Sequence, residues 1–229
     1  MTATPVKPAP ETPAPVKPAP ETPRRGLRAW WLAFVLARTR ASDARLYGAR
    51  KRVLFAGLGP VVVEIGAGAG VNAAYFARGT RWIAVEPNVY LHGPLRRAAE
   101  AHGLAVQIIP GTAEALPLPD GSADAVVSTL VLCSVARPAR ALAEALRVLR
   151  PGGRLVVVEH VAAEAGSGLR RLQRLLRAPW GAVADGCRPD RETEATLRAA
   201  GFADVSVERF RLPLGLVAPH IAGTATKGA

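Results

Sequence analysis

The segment PVVVEIGAGAG, residues 60–70, constrains the fold more than any other stretch of this chain. An unbroken β-branched run suits a strand buried on both faces of a parallel sheet. The glycines that follow at once permit a sharp turn and close approach of the backbone to a ligand, because no Cβ intrudes. Gly66, Gly68 and Gly70 are spaced G-x-G-x-G. The dinucleotide fingerprint G-x-G-x-x-G needs a glycine at position 71, which Val71 occupies, so a nucleoside without a pyrophosphate is the better expectation.

The chain continues as an alternation of strands and helices. RWIAVE (81–86), AVQIIP (105–110), ADAVVSTLVL (123–132) and GRLVVVEH (153–160) read as further strands. Helices are expected from Val71 to Ala77, over Asn88–Gly103, and over PARALAEALRVLRPGG, where Leu142, Leu146 and Leu149 share one side and Pro151-Gly152-Gly153 stops the helix. DVSVERF (204–210) and residues 216–225 supply terminal strands. Such a pattern means an open, mainly parallel α/β sheet, with its ligand beyond the carboxyl ends of the strands. Glu86 ends the second strand, where a carboxylate can accept hydrogen bonds from both ribose hydroxyls; taken alone it reads as readily as an exposed strand-end acid. Pro87 and Asn88 follow it into the same site. Ala113 and Glu114 lie just past the third strand, beside an adenine if one is bound, although residues 111–128 also suit a plain connector.

Ahead of this domain (57–229) stand two other segments. Residues 4–23 are two copies of a proline-rich decapeptide, and eight of the 20 prolines fall in residues 1–23, which predicts a disordered tail. Residues 24–56 are expected to form a helical cap. Within it AWWLAFVLA (29–37) is wholly apolar but far short of the ~20 residues that span a bilayer. Flanking arginines suit an interfacial helix and a weak peripheral membrane contact through residues 24–40; the other reading is a helix that roofs a pocket and buries its tryptophans, with Trp30 touching substrate. The net charge of +12 falls on the folded part, since Lys7 and Lys17 balance Glu11 and Glu21. No aromatic residues interleaved with basic ones offer a stacking platform, so nucleic acid is not expected as a partner. Two cysteines, Cys133 and Cys187, exclude a disulfide scaffold, fit a reducing cytoplasmic compartment, and are too few to argue for a metal.

Together the glycine loop, Glu86 and the 111–128 segment resemble a class I S-adenosylmethionine-dependent methyltransferase over roughly residues 50–229. The resemblance implies a Rossmann-like α/β fold, a seven-stranded mainly parallel sheet with helices on both faces and its last strand antiparallel. It also implies Glu86 on the ribose, Gly66, Ala67, Gly68 and Gly70 near the methionine portion, and Glu64 positioning that portion. Ala113 and Glu114 would flank the adenine, with Thr129 and Leu130 below the sulfonium. S-adenosylmethionine would then be the cofactor and S-adenosylhomocysteine its product. LRVLRPGGRLVVVEH is similar to the broad group containing the ubiquinone/menaquinone C-methyltransferases. STLVLCSV (128–135), EHVAAE (159–164), DGC (185–187), RETEATLRAAGF (191–202) and VAPHIAGTA (217–225) resemble, in order, the microsomal alkyl thiol methyltransferases. Tyr47, Lys51, Arg52 and Phe55 match the helix that precedes the fold in that group. Those relatives carry a longer apolar amino-terminal anchor and usually Asp where Glu86 stands, so acceptor choice is the least determined feature.

A thiol acceptor suits a site with few acid–base groups, because a free thiol is partly ionised near neutrality and the thiolate is strongly nucleophilic. His160, after the fifth strand, and Asp185, before Gly186 and Cys187, are the catalytic candidates; Asp185 otherwise caps its turn. Trp30, Cys133, His160 and His220 are the expected acceptor contacts. An O-, N- or C-methyltransferase of a small natural product and a non-catalytic cofactor-binding module remain as alternatives. A nucleic-acid methyltransferase is disfavoured because Thr129-Leu130-Val131-Leu132 stands where Asn/Asp-Pro-Pro-aromatic would be. A nicotinamide oxidoreductase is disfavoured by the glycine spacing. The chain is expected to be a monomer.

Overall fold

The computed structural model describes residues 23–36 and 38–229. All of the repeat assigned to the tail except Pro23 lies outside the described residues. Two helices, α1 (Leu27–Leu36) and α2 (Arg40–Leu54), lead into the sheet. Strands β1 (Val61–Ile65), β2 (Arg81–Val85), β3 (Ala105–Ile109), β4 (Ala123–Thr129), β5 (Leu149–His160), β6 (Asp204–Arg211) and β7 (Pro219–Thr226) form one sheet in the order β3-β2-β1-β4-β5-β7-β6. The first five are parallel neighbours, and β7 runs antiparallel to both β5 and β6. The remaining helices are α3 (His92–His102), α4 (Pro138–Val148), α5 (Gly168–Leu175), α6 (Arg177–Val183) and α7 (Thr193–Arg198).

β1 pairs on both edges, with β2 and β4, and Val62–Ile65 are buried on both faces of the sheet. Val63 and Ile65 pack into one apolar layer with Leu142 and Ala145 of α4 and Leu197 of α7. Val62 points to the other side, among Phe55, Trp82, Leu95 and Ala98. That two-sided burial explains why these strands are continuous apolar runs instead of alternating ones. Two expectations shift in detail. The stretch after the glycine loop is a 3-10 turn, Val71–Tyr75, and α4 ends at Val148, so Leu149 opens β5 instead of closing the helix. Pro151-Gly152-Gly153 therefore lies within β5, after the helix has already ended.

β1 and β4 are adjacent, and the loops that follow them meet at the carboxyl end of the sheet. The loop after β1 needs glycine at position 66, where φ is +62 and a Cβ would stand 2.5 Å from Val131 Cγ2 in the loop after β4. Gly79 also has positive φ (+79) but has nothing within 4 Å of its would-be Cβ. Gly66→Ala is expected to lose ~2–4 kcal/mol in denaturant unfolding, and Gly79→Ala only the backbone part, ~1–2 kcal/mol. Equal losses would mean that the two loops do not interlock.

Candidate active site

A cavity of about 700 Å³ opens at the carboxyl ends of the strands. Its floor is the glycine loop, and Gly68 supplies the room. A Cβ there would meet only the Gly66 carbonyl, at 4.0 Å, so its place is open space. Glu86 ties this loop to the next: its Oε2 accepts from the Gly68 amide at 2.8 Å and its Oε1 from the Asn88 amide at 2.8 Å. Each oxygen keeps a lone pair for a diol. Burial pushes Glu86 above the usual carboxylate range, against those two amides, which favour the charged form.

Asn88 extends the arrangement to the amino-terminal helices. Its side chain accepts from the Tyr90 amide and donates to the Ala29 carbonyl of α1, while Pro87 O accepts from Arg24 N. Arg24 also pairs with Asp185 at 2.7 Å, and Arg28 donates to the Ala182 carbonyl in α6. In this way α1 roofs the cavity, through Leu32, Val35 and Leu36. The expectation that the helix buries its tryptophans is corrected: Trp30 and Trp31 are 50% and 59% exposed, and Trp30 does not line the cavity. The reason is angular, because the pocket-facing positions of α1 are 32, 35 and 36 and Trp30 and Trp31 lie off that face.

Of the residues expected around a cofactor, Gly66, Ala67, Gly68, Glu86, Pro87 and Asn88 line the cavity. So do Ala113, Glu114, Thr129 and Leu130. Glu64 and Gly70 are not among the residues that line it. Gly70 packs beneath the loop, where a Cβ would stand 2.8 Å from that of Ala98. Glu64 is buried inside the sheet and accepts from Asn72 Nδ2 at 2.7 Å, and the same nitrogen reaches Thr129 Oγ1 at 2.9 Å. Asn72 was missed in the sequence; an isolated Asn after a glycine loop carries no pattern of its own. Glu114 reaches the site with its Oε1 already accepting from the amides of Ala136 and Arg137, ahead of α4. Thr112 Oγ1 lines the cavity buried and without a partner among the described residues. An adenosyl group fits these donors and acceptors: a carboxylate with spare lone pairs, a Cβ-free floor and an unpartnered hydroxyl.

Another part of the cavity is soft and polar. Cys133, His160, Cys187 and His220 all line it. His160 Nε2 lies 3.1 Å from Cys187 Sγ, which also accepts from Trp180 Nε1 at 3.2 Å. The Cys133 S–H, the His160 ring and the Trp180 N–H together hold the Cys187 thiol far below the usual thiol range, and Cys133 is pushed up in return. His220 is saturated: Nδ1 donates to the Ala218 carbonyl at 3.0 Å and Nε2 accepts from Tyr47 Oη at 3.0 Å. Burial lowers its pKa, which leaves a neutral ring that anchors α2 to β7. Asp185 borders the cavity, and its side-chain hydrogen bond is to Arg24 and not to a turn amide. It sits at φ +51 and spends its carboxylate on Arg24. Through this pair Asp185 latches the segment that leads into α1.

Residues 63–157 match the family described as a methyltransferase domain. The chain is 35% identical over 219 residues to human thiol S-methyltransferase TMT1A, covering 88% of this chain and 90% of that one. It is 40% identical over 172 residues to human thiol S-methyltransferase TMT1B, covering 72% and 70%. Among solved structures the [4+2]-cyclase SpnF superposes with a TM-score of 0.69 at 22% identity, over 93% of this chain and 98% of that one, a likeness of fold alone. No helix among the described residues is long and apolar enough to cross a membrane.

Burial raises the Glu64 pKa from 4.5 to about 8, against the hydrogen bond from Asn72 and the charge of Lys51. Between those values the unfolded chain has released this proton and the folded chain still holds it. Stability therefore falls as pH rises across that window, by at most about 1.4 kcal/mol per pH unit from this group. Glu64→Gln keeps an acceptor for Asn72, so its unfolding free energy, measured by denaturant at pH 5 to 8 without cofactor, is expected to be flatter and higher at pH 8. An unchanged slope would place the proton elsewhere.

Proposed function

We infer that this chain, which belongs to the S-adenosylmethionine-dependent methyltransferases, transfers the methyl group to the sulfur of a small, rather apolar thiol. The observation that carries this reading is a single cavity lined by two unlike groups. Glu86 and the glycine loop follow β2 and β1, whereas Cys133 follows β4 and His160 ends β5 beside Cys187, and Leu32, Val35, Val131, Leu214 and Val217 line the same cavity. The names borne by the two human relatives, thiol S-methyltransferases, point the same way.

S-adenosylmethionine, when bound, supplies a methyl group on a positively charged sulfur. The chain's own contribution is to bind, align and keep dry. Glu86 would take the ribose hydroxyls, the open, Cβ-free surface of the glycine loop at Gly68 the methionine portion, and Thr129, fixed by Asn72, the region below the sulfonium. Leu130, held at φ +58, turns the chain after β4 so that Val131 and Cys133 line the acceptor space. His160 is the residue we assign to steering the acceptor sulfur. Positioning in a water-poor site accounts for most of the expected acceleration, since thiolate needs little further activation. The apolar walls select against charged acceptors. A site closed by residues of one chain supports a monomer, and free thiols support a reducing cytoplasmic location. The exposed Trp30, Trp31 and Phe34, beside the flanking arginines, favour the interfacial reading of residues 24–40 and a weak peripheral membrane contact.

Purified protein incubated with S-adenosylmethionine and a panel of alkyl thiols, phenols and amines is expected to yield methyl thioethers with equimolar S-adenosylhomocysteine, read by mass spectrometry. Methylated phenols or amines without thioethers would move the acceptor to oxygen or nitrogen. Cofactor binding with no product would make the chain a binding module. In calorimetry Glu86→Ala is expected to weaken cofactor binding by at least about 1 kcal/mol, roughly fivefold, because charge-assisted hydrogen bonds are lost. Unchanged affinity in folded protein would remove Glu86 from the site.

A further inference from the structure

We propose that Cys133, His160 and Cys187 form a zinc site with one coordination position open to the acceptor cavity. The ligand set stands on geometry alone, and its use in methyl transfer rests on the thiol reading above. The two Sγ atoms and an imidazole nitrogen all lie within 4.8 Å of one another, and the three residues are buried. Zinc bonds of ~2.3 Å to sulfur and ~2.0 Å to nitrogen place tetrahedral edges at about 3.5–3.8 Å. The 3.1 Å separation of His160 Nε2 and Cys187 Sγ has to open by only a few tenths of an ångström, and the others to close by at most about one. Two thiolates and an imidazole are the soft donors that zinc takes, and three protein ligands with a vacancy is the arrangement of a catalytic site, not a structural one.

The surroundings hold these donors and place no carboxylate within the group. Cys133 and Cys187 come from different loops that are locked together, because the Cys133 carbonyl accepts from the Arg188 amide at 3.0 Å and Arg191 donates to the Val135 carbonyl at 2.7 Å. Asp185 and Gly186 are both left-handed, at φ +51 and +79. That conformation costs a non-glycine residue of order 1–2 kcal/mol, and here it turns Cys187 inward to His160. Trp180 Nε1 donates to Cys187 Sγ, as outer-shell groups do to a ligating thiolate. Glu159 spends Oε1 on Ser128 and on the amides of Val131 and Leu132. Its Oε2 is unpartnered among the described residues, but Glu159 is not in the group whose ligand atoms lie within 4.8 Å of one another, and Asp185 is turned to Arg24. Magnesium or calcium would find too few oxygens here.

An acceptor thiol would enter as the fourth ligand. Its S–H bond breaks, the proton leaves to solvent, and the sulfur binds the metal as thiolate. A sulfur lone pair then forms the new S–CH₃ bond while the sulfonium–CH₃ bond breaks, its electron pair remaining on the cofactor's sulfur. The thioether is neutral and a poorer donor, so it departs and restores the vacancy. Nothing is oxidised or reduced.

The test uses the full chain, reduced and dialysed free of metal, titrated with zinc against a chromogenic chelator and with cobalt(II) followed by absorbance. One zinc per chain is expected, and Cys133→Ala, Cys187→Ala and His160→Gln should each weaken binding by about 100-fold or more, since even outer-shell losses cost 10–100-fold. Cobalt-loaded protein should show thiolate charge-transfer bands, and tetrahedral d–d bands that shift when an alkyl thiol is added. No zinc bound by wild type, or equal binding by the Cys133→Ala/Cys187→Ala double variant, overturns the site. His160→Gln decides the matter should the cysteine variants fail to fold. Metal-free protein that methylates thiols as fast as the zinc-loaded form also overturns the proposal, yet leaves the thiol reading standing. Zinc binding with a thiol-sensitive cobalt spectrum but no thioether product upholds the site and removes the thiol-transfer reading instead.

Discussion

The buried carboxylate of Glu86 joins the two loops on which the site is built. By accepting from Gly68 N and Asn88 N it fixes the turn after β1 against the turn after β2. Both amides would otherwise lose water with nothing in return, and an unmade buried hydrogen bond costs more than a made one contributes. Asn88 then carries the constraint outward, through Ala29 and the Arg24–Pro87 main-chain bond, to the helix that roofs the cavity. A ligand that engages the remaining lone pairs of Glu86 therefore meets a floor, a wall and a roof already held in register. The site is preorganised by one acid, and the exposed Arg24–Asp185 pair adds a latch at the rim.

Another part of the cavity is organised by different means. Leu130 and Asp185 are the two non-glycine residues with positive φ among those described, and both border the acceptor space. Strain of this kind persists only where surrounding bonds over-determine it. Here those bonds are the main-chain contacts of Cys133 and the Glu159 carboxylate, which accepts from Ser128, Val131 and Leu132 beneath the loop after β4. One part of the cavity is thus organised by hydrogen bonds to a carboxylate, and another by a strained backbone presenting sulfur.

Much of the frame was legible in advance because buried parallel strands write themselves as uninterrupted apolar runs. PVVVEI, RWIAVE and AVQIIP each match a strand to within a residue at either end. The strand expected over 123–132 stops at Thr129, because Leu130 leaves the extended region, and no local residue preference announces a left-handed leucine. Trp30 misled for a related reason: an apolar helix with arginines at both ends does not say which face meets the protein. The bond from Asn72 that links Glu64 to Thr129 was not legible, since strand periodicity fixes the side of the sheet but not the depth.

Sequence alone determined the parallel α/β sheet, the glycine turn, the position of Glu86 at its strand end and the family resemblance, because each depends on residues close together in the chain. Tertiary structure decided what lies far apart in it. Arg24 meeting Asp185, Tyr47 meeting His220, and Cys133 meeting His160 and Cys187 join segments that only the folded sheet brings to one edge. No periodicity can report such meetings, since the cost of closing a long loop varies so slowly with its length that spacing carries almost no information about contact.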